Sequence, residues 1–115
     1  MSCHTYDLLG SRALRRGFAW RFVFRRRIHP IRQPVDLTGC VARLEIYDTQ
    51  HPRRAAWGFD TGLLGADGVT EFELTAADTA DITCTAARYR VLFVDAEGEQ
   101  TVYLTGRLAV LEKDL

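Results

Sequence analysis

With 115 residues, 47% hydrophobic and 26% charged, the chain has the size and balance of one soluble globular domain and little room for a second. It holds no run of about 18 apolar residues, which argues against a transmembrane helix. The polar start Met1-Ser2-Cys3-His4 argues against a secretory signal. Cys3, Cys40 and Cys84 are too few and too scattered for a disulfide framework or a zinc pattern, so reduced thiols and folding in a cytoplasm are expected.

The net charge of zero hides a dipole. Residues 1–57 hold 11 arginines against four acids, and residues 58–115 hold four basic residues against 11 acids. Two readings follow. Basic and acidic strands can pair within one sheet, or the basic side can dock on an acidic neighbour, a copy of the chain included.

In chain order, residues 1–16 fit a short strand, a helical turn or an N-terminal arm equally well. The segment Gly17–Arg26 alternates Phe18, Trp20, Phe22 and Phe24 with Ala19, Arg21, Val23 and Arg25, which predicts a strand with an aromatic core face. Arg25-Arg26-Arg27 leads into a loop fixed by Pro30 and Pro34. Pro34–Gly39 reads as a turn, and it releases a strand whose apolar face is Cys40, Ala42, Leu44 and Ile46, with Val41, Arg43, Glu45 and Tyr47 opposite. Ala55–Phe59 predicts a short strand, its Trp57 and Phe59 either core residues or edge anchors for a partner. Asp67-Gly68 predicts a turn, and Val69–Leu74 a strand with Thr70, Phe72 and Leu74 on one side and Glu71 and Glu73 on the other.

Thr75-Ala76-Ala77-Asp78 has the form of a capping box and predicts one helical turn to about Ile82. Ala86–Asp95 predicts a strand with Tyr89, Val91 and Phe93 on one face. Ala96–Glu99 turns it into a long last strand, Gln100–Glu112, in which Gly106 marks a bulge or a close backbone approach. Six to seven strands and one helical turn predict an all-β fold, a single antiparallel β-sandwich of immunoglobulin-like type spanning residues 1–115.

No chemistry-bearing motif emerges: no phosphate-binding Gly-rich loop, no Cys-x-x-Cys, no paired metal-binding histidines and no nucleophile elbow. His29 and His51 each precede a proline in an expected loop, and Cys3-His4 sits at the chain start. Glu71 and Glu73 read as a solvated face or as partners for arginine on a neighbouring strand, not as an acid–base pair. Arg25-Arg26-Arg27 near aromatics raises a nucleic-acid reading. The acidic second half and the core placement of those aromatics weigh against it. The expectation is therefore no enzyme, cofactor, metal or small-molecule substrate.

Gly17-Phe18-Ala19-Trp20-Arg21-Phe22-Val23-Phe24, Pro34–Gly39, the run Asp67–Ala80, Tyr89 to Asp95 with Gly98, and Gly106-Arg107-Leu108-Ala109-Val110 form an ordered set over about residues 17–110. In order and spacing the set resembles small β-sandwich tail and baseplate proteins of tailed bacteriophages, in particular the N-terminal domain of phage upper-baseplate proteins. The chain departs from that pattern at Arg25–Gln33, Arg-rich where the family usually has a short acidic or Gly-containing hairpin. The resemblance implies a virion structural protein made in the host cytoplasm, a tail or baseplate assembly module that binds other virion proteins and copies of itself, and it carries over no catalytic residues. A capsid decoration or fibre-attachment protein and a nucleic-acid-binding accessory protein are the alternatives. The expected partner-binding residues are Arg25, Arg26, Arg27 and Arg32 in an exposed loop, with Glu71 and Glu73, joined by Glu97 and Glu99, as mates on a neighbouring copy.

Overall fold

Two-residue alternation of apolar and polar side chains forces a strand to bury one face, and the segments with the cleanest alternation form the centre of the molecule. The structure, a computed structural model, describes residues 4–28, 31, 33–50, 57–84 and 86–112. Among these residues it is all-β apart from one 3-10 turn (Gly10–Arg12) and one short helix, α1 (Ala76–Ala80). The strands are β1 (His4–Thr5), β2 (Leu14–Arg15), β3 (Trp20–Arg25), β4 (Arg27–Ile28), β5 (Gln33–Pro34), β6 (Val41–Asp48), β7 (Trp57–Leu63), β8 (Val69–Leu74), β9 (Ala86–Val94) and β10 (Gln100–Leu111).

The main sheet runs β1-β10-β9-β6-β7, with β2 also on β10. β9 lies between β6 and β10 and pairs antiparallel with both. Its inner residues Tyr89, Val91 and Phe93 stand beside Ala42, Leu44 and Ile46 of β6, all buried. A second unit, the antiparallel ribbon β3–β8, packs on this face: the Phe22 ring meets Tyr89 edge-on at 5.9 Å, and Phe24 meets Phe93 at 6.4 Å. Such aromatic pairs add about 0.5–1.5 kcal/mol each beyond their buried area.

Residues 1–16 were open to three readings, and from His4 on the structure describes short strands with a 3-10 turn between them. From His4 to Arg15 the chain runs parallel to β10, paired through β1 at one end and β2 at the other, with a bridge from Leu8 to Leu108 between them. Leu8 and Leu14 are fully buried. The 3-10 turn lets the segment skip part of the ladder and rejoin it. Gly106 is the residue that admits it: a Cβ there would overlap the Tyr6 carbonyl oxygen and press on the Tyr89 ring. The β10 irregularity lies instead between Val102 and Leu104, where Tyr103 is extra and turns inward to stack on Phe24 at 5.7 Å.

Three expectations need correction. Phe18 does not share the aromatic core face: it is 47% exposed, because Gly17 at φ 82° turns the chain and β3 begins only at Trp20. Thr79 holds this turn, its hydroxyl donating to the Phe18 carbonyl at 2.8 Å and accepting from the Gly17 N–H at 3.1 Å. Cys40 is half-buried in the turn before β6 and not part of the strand's apolar row. Arg27-Ile28 and Gln33-Pro34, expected within a loop, pair with each other as β4 and β5, while Pro30 lies outside the described residues. Ala55 and Ala56, expected at the head of β7, lie outside the described residues. The capping box forms as read: Thr75 accepts from the Asp78 N–H, and the Asp78 carboxylate accepts from the Thr75 N–H.

Gly106→Ala is expected to destabilise the domain by about 1–3 kcal/mol through this overlap. Gly62→Ala, where a Cβ meets nothing, is expected to be near neutral. Urea midpoints of the two variants check the contrast; equal midpoints would contradict the close approach of Tyr6 to Gly106.

Candidate partner-binding surface

The arginine cluster is positioned by the corner between β3 and β4. Arg26 sits at the bend, its N–H donating to the Gly68 carbonyl at 2.8 Å and its carbonyl accepting from the Val35 N–H at 3.0 Å. Gly68 adopts φ 70°, and a Cβ there would overlap the Arg26 carbonyl, so the Asp67-Gly68 turn and the arginine corner fit only with glycine. Alternation then separates the three arginines. Arg26 turns inward, its guanidinium 4.7 Å from the Tyr103 ring centroid and 5.4 Å from that of Phe93. Arg25 and Arg27 point outward and are exposed. Arg26 is thus a cation over the aromatic core, worth about 0.5–2 kcal/mol in such stacking, and not a presented charge. Ile28 and Ile31 beside it are 47% and 66% exposed. Arg32, His29, His51 and Cys3 lie outside the described residues.

The two glutamates are already engaged. Arg21 on β3 donates from Nε at 3.0 Å and from its terminal nitrogen to Glu71 Oε1, and its Nε lies 3.9 Å from Glu73. The Arg21 hydrogen bond holds the Glu71 carboxyl below the ordinary range, while the neighbouring Glu71 carboxylate pushes Glu73 up. Glu97 and Glu99 stay exposed in the β9–β10 turn, which Asp95 braces by accepting from both of their N–H groups.

Ion pairs cross between the two halves of the chain. Arg21–Glu71, Arg43–Asp60, Arg90–Glu45, Arg107–Asp7 and Arg16–Glu112 each join the first half of the chain to the second. Three of them set a first-half arginine against a second-half acid and two run the opposite way, so cross-strand pairing compensates part of the sequence dipole inside the domain. Most of these pairs are exposed, and each contributes little to stability. Arg25 and Arg27 are outward arginines without a carboxylate mate among the described residues.

The polar network around Glu45, on the outer face of the main sheet, was legible only as alternation. Glu45 is the hub: Arg90 Nε donates to it at 2.7 Å, the Tyr47 hydroxyl at 3.0 Å and Arg43 Nε at 3.3 Å, while Arg43 grips Asp60 with both oxygens within 3.1 Å. Partial burial raises the Glu45 pKa, but the hydrogen bonds from Arg90 and Tyr47 and the attraction of Arg90 outweigh it, so the carboxyl titrates below its ordinary 4.5. Gly58 leaves room for the Arg43 guanidinium that spans it. The signal in the sequence was the Arg43-Leu44-Glu45 and Arg88-Tyr89-Arg90 alternation, which sets opposite charges on adjacent strands.

A groove of about 520 Å³ lies between the N-terminal segment and β3, with Tyr6, Arg12, Trp20, Phe24, Arg25 and Tyr103 among its walls. Among the described residues no three His, Cys, Asp or Glu side chains come together as a metal-holding group. No described helix is long and apolar enough to cross a membrane. Comparison with protein-family models, curated proteins and solved structures finds no match.

Because the folded pKa of Glu45 lies below the unfolded one, its stabilisation is complete above about pH 4.5 and is lost as pH falls through the folded value. Glu45→Gln is expected to cost about 1–2 kcal/mol at pH 7. The gap to wild type should narrow as the pH falls well below the ordinary carboxylate range. Urea titrations at neutral and acid pH check this; a constant gap would contradict the charged hub.

Proposed function

We propose that the chain is a non-enzymatic structural module of a tailed-phage virion, acting at the tail or baseplate by binding other virion proteins. The fold we assign to it within the all-β class is an immunoglobulin-like sandwich, in which the β3–β8 ribbon forms the second layer over the main sheet. The observation that carries the reading is where the family-like residues sit. Gly39 is a positive-φ turn residue, Gly68 fits against the Arg26 carbonyl, Thr75 and Asp78 cap α1, Asp95 braces the last hairpin, and Gly106 admits the N-terminal segment. The resemblance is thus written in residues that hold backbone joints, which suits a protein whose work is to be a rigid part. Rigid, pre-shaped surfaces lose little entropy on docking. Heterologous contacts between such modules close into rings where the rotation permits.

Within this reading, Arg25 and Arg27 are the basic contact points for an acidic surface on a neighbouring virion protein. Arg26 belongs to the fold, so the informative variant leaves it in place. The double substitution Arg25→Ser and Arg27→Ser is expected to leave the melting temperature within a degree or so of wild type, as surface changes usually do. It is also expected to abolish incorporation into particles assembled in a host that supplies the variant. Normal incorporation would contradict the proposed contact, and tight, steeply salt-dependent binding of wild type to duplex DNA would favour the nucleic-acid alternative.

A further inference from the structure

Among the described residues, β3 has a ladder on one side only, with β8. The Arg26-to-Gly68 hydrogen bond sets the phase of the antiparallel β3–β8 pairing, so Trp20, Phe22 and Phe24 exchange their backbone groups with Leu74, Phe72 and Thr70. The N–H and C=O groups of Arg21, Val23 and Arg25 therefore point the other way, into the side where the groove lies. Among the described residues no backbone group meets them there. The facing wall of the groove is the N-terminal segment, and Tyr6, Trp20, Phe24 and Tyr103 supply aromatic surface to its lining. An unpaired strand edge beside a groove that mixes aromatic and polar walls is a geometry that accepts an added strand.

The charges select the occupant. β3 reads Trp20-Arg21-Phe22-Val23-Phe24-Arg25 and contains no acid. Antiparallel pairing with β3 of a second copy, centred on Val23, would set Arg21 against Arg25, and centring on Phe22 gives neither arginine a carboxylate. Like charges directly opposite are destabilising. Arg25 has no carboxylate mate among the described residues, and Arg12 on the far rim lies over the Tyr6 ring at 5.5 Å. We infer that the free edge of β3 binds an extended segment of a partner protein in which apolar residues alternate with acidic ones, adding a strand to the β3–β8 ribbon. Its backbone pairs with Arg21, Val23 and Arg25. Its apolar side chains enter the groove beside Trp20 and Phe24, and its carboxylates meet Arg25 and the outer side of Arg21. This deepens the assembly role proposed above and rests on it for the nature of the partner.

The test uses the full chain and fluorescein-labelled octapeptides, one alternating valine with glutamate, one alternating valine with lysine, and one with the valine–glutamate composition in two blocks. The alternating acidic peptide is expected to bind best and to slow amide exchange at residues 21, 23 and 25. Val23→Pro removes only an outward N–H, a position where an edge strand tolerates proline. It is expected to weaken binding by about tenfold or more, and Arg25→Glu is expected to reverse the preference between the acidic and basic peptides. Should Val23→Pro fail to fold, Arg25→Glu and the exchange pattern still decide. Absence of binding at millimolar peptide, binding without protection of those amides, or equal binding of all three peptides would overturn the inference. So would self-association of the chain that protects the same amides. The peptide assay reads the edge in isolation, so its failure leaves the particle-incorporation test of the assembly role standing.

Discussion

Tyr89 is the side chain on which the rest of the structure depends. It stands at the centre of the middle strand, with β6 on one side and β10 on the other. Its ring receives Phe22 edge-on and so ties the β3–β8 ribbon to the main sheet. Its hydroxyl donates to the Tyr6 carbonyl and so ties down the N-terminal segment. Burial pushes the phenol well above its ordinary pKa, which keeps it a neutral donor. Directly across the ladder stands Gly106, whose missing side chain is the space through which the Tyr6 carbonyl reaches the hydroxyl. One ring and one glycine thus couple three parts of the fold. A buried polar group that satisfies a specific carbonyl fixes register more strictly than apolar contact does.

What the sequence made legible follows from locality. The strands β6, β8 and β9 were readable because buried and less buried positions alternate along them, Leu92 of β9 excepted, and the cap of α1 because Thr75 and Asp78 complete it within three residues. The role of Gly106 was readable as an interruption of a long alternating strand. Features set by distant partners were not. Leu8 and Leu14 gave no periodic signal because two short paired stretches with a 3-10 turn between them never establish a period. Phe18 looked like one more core aromatic, yet its orientation is decided by Thr79 of α1. Leu92 lies on the polar face of β9 but is buried there, between Arg43 of β6 and Val102 of β10 in the ladder, where the stem of a long arginine can cover apolar surface.

The candidate surface was legible in part for the same reason. Arg25 and Arg27 are exposed, as a charged corner predicts, but alternation takes Arg26 out of the set and lays it over Tyr103 and Phe93. Glu71 and Glu73 were weighed as partners for arginine on a neighbouring strand, and Arg21 of β3 is that arginine. The sequence dipole therefore measures two things at once. One is cross-strand pairing within the domain, through Arg16, Arg21 and Arg43. The other is uncompensated charge, which includes the pair of outward arginines beside the β3 edge, where exposed backbone and an aromatic-lined groove coincide.

Hydrogen exchange on Tyr89→Phe tests the coupling most directly, because the variant keeps the ring and removes only the hydroxyl. If Tyr89 ties the N-terminal segment to the core as described, the Tyr6 and Leu8 amides, which donate to Thr105 and Arg107, will exchange at least tenfold faster, a local opening cost lower by about 1.4 kcal/mol. Amides in the β6–β9 ladder will keep their wild-type protection. Unchanged exchange at Tyr6 and Leu8, or an equal loss of protection across the whole sheet, would contradict the account.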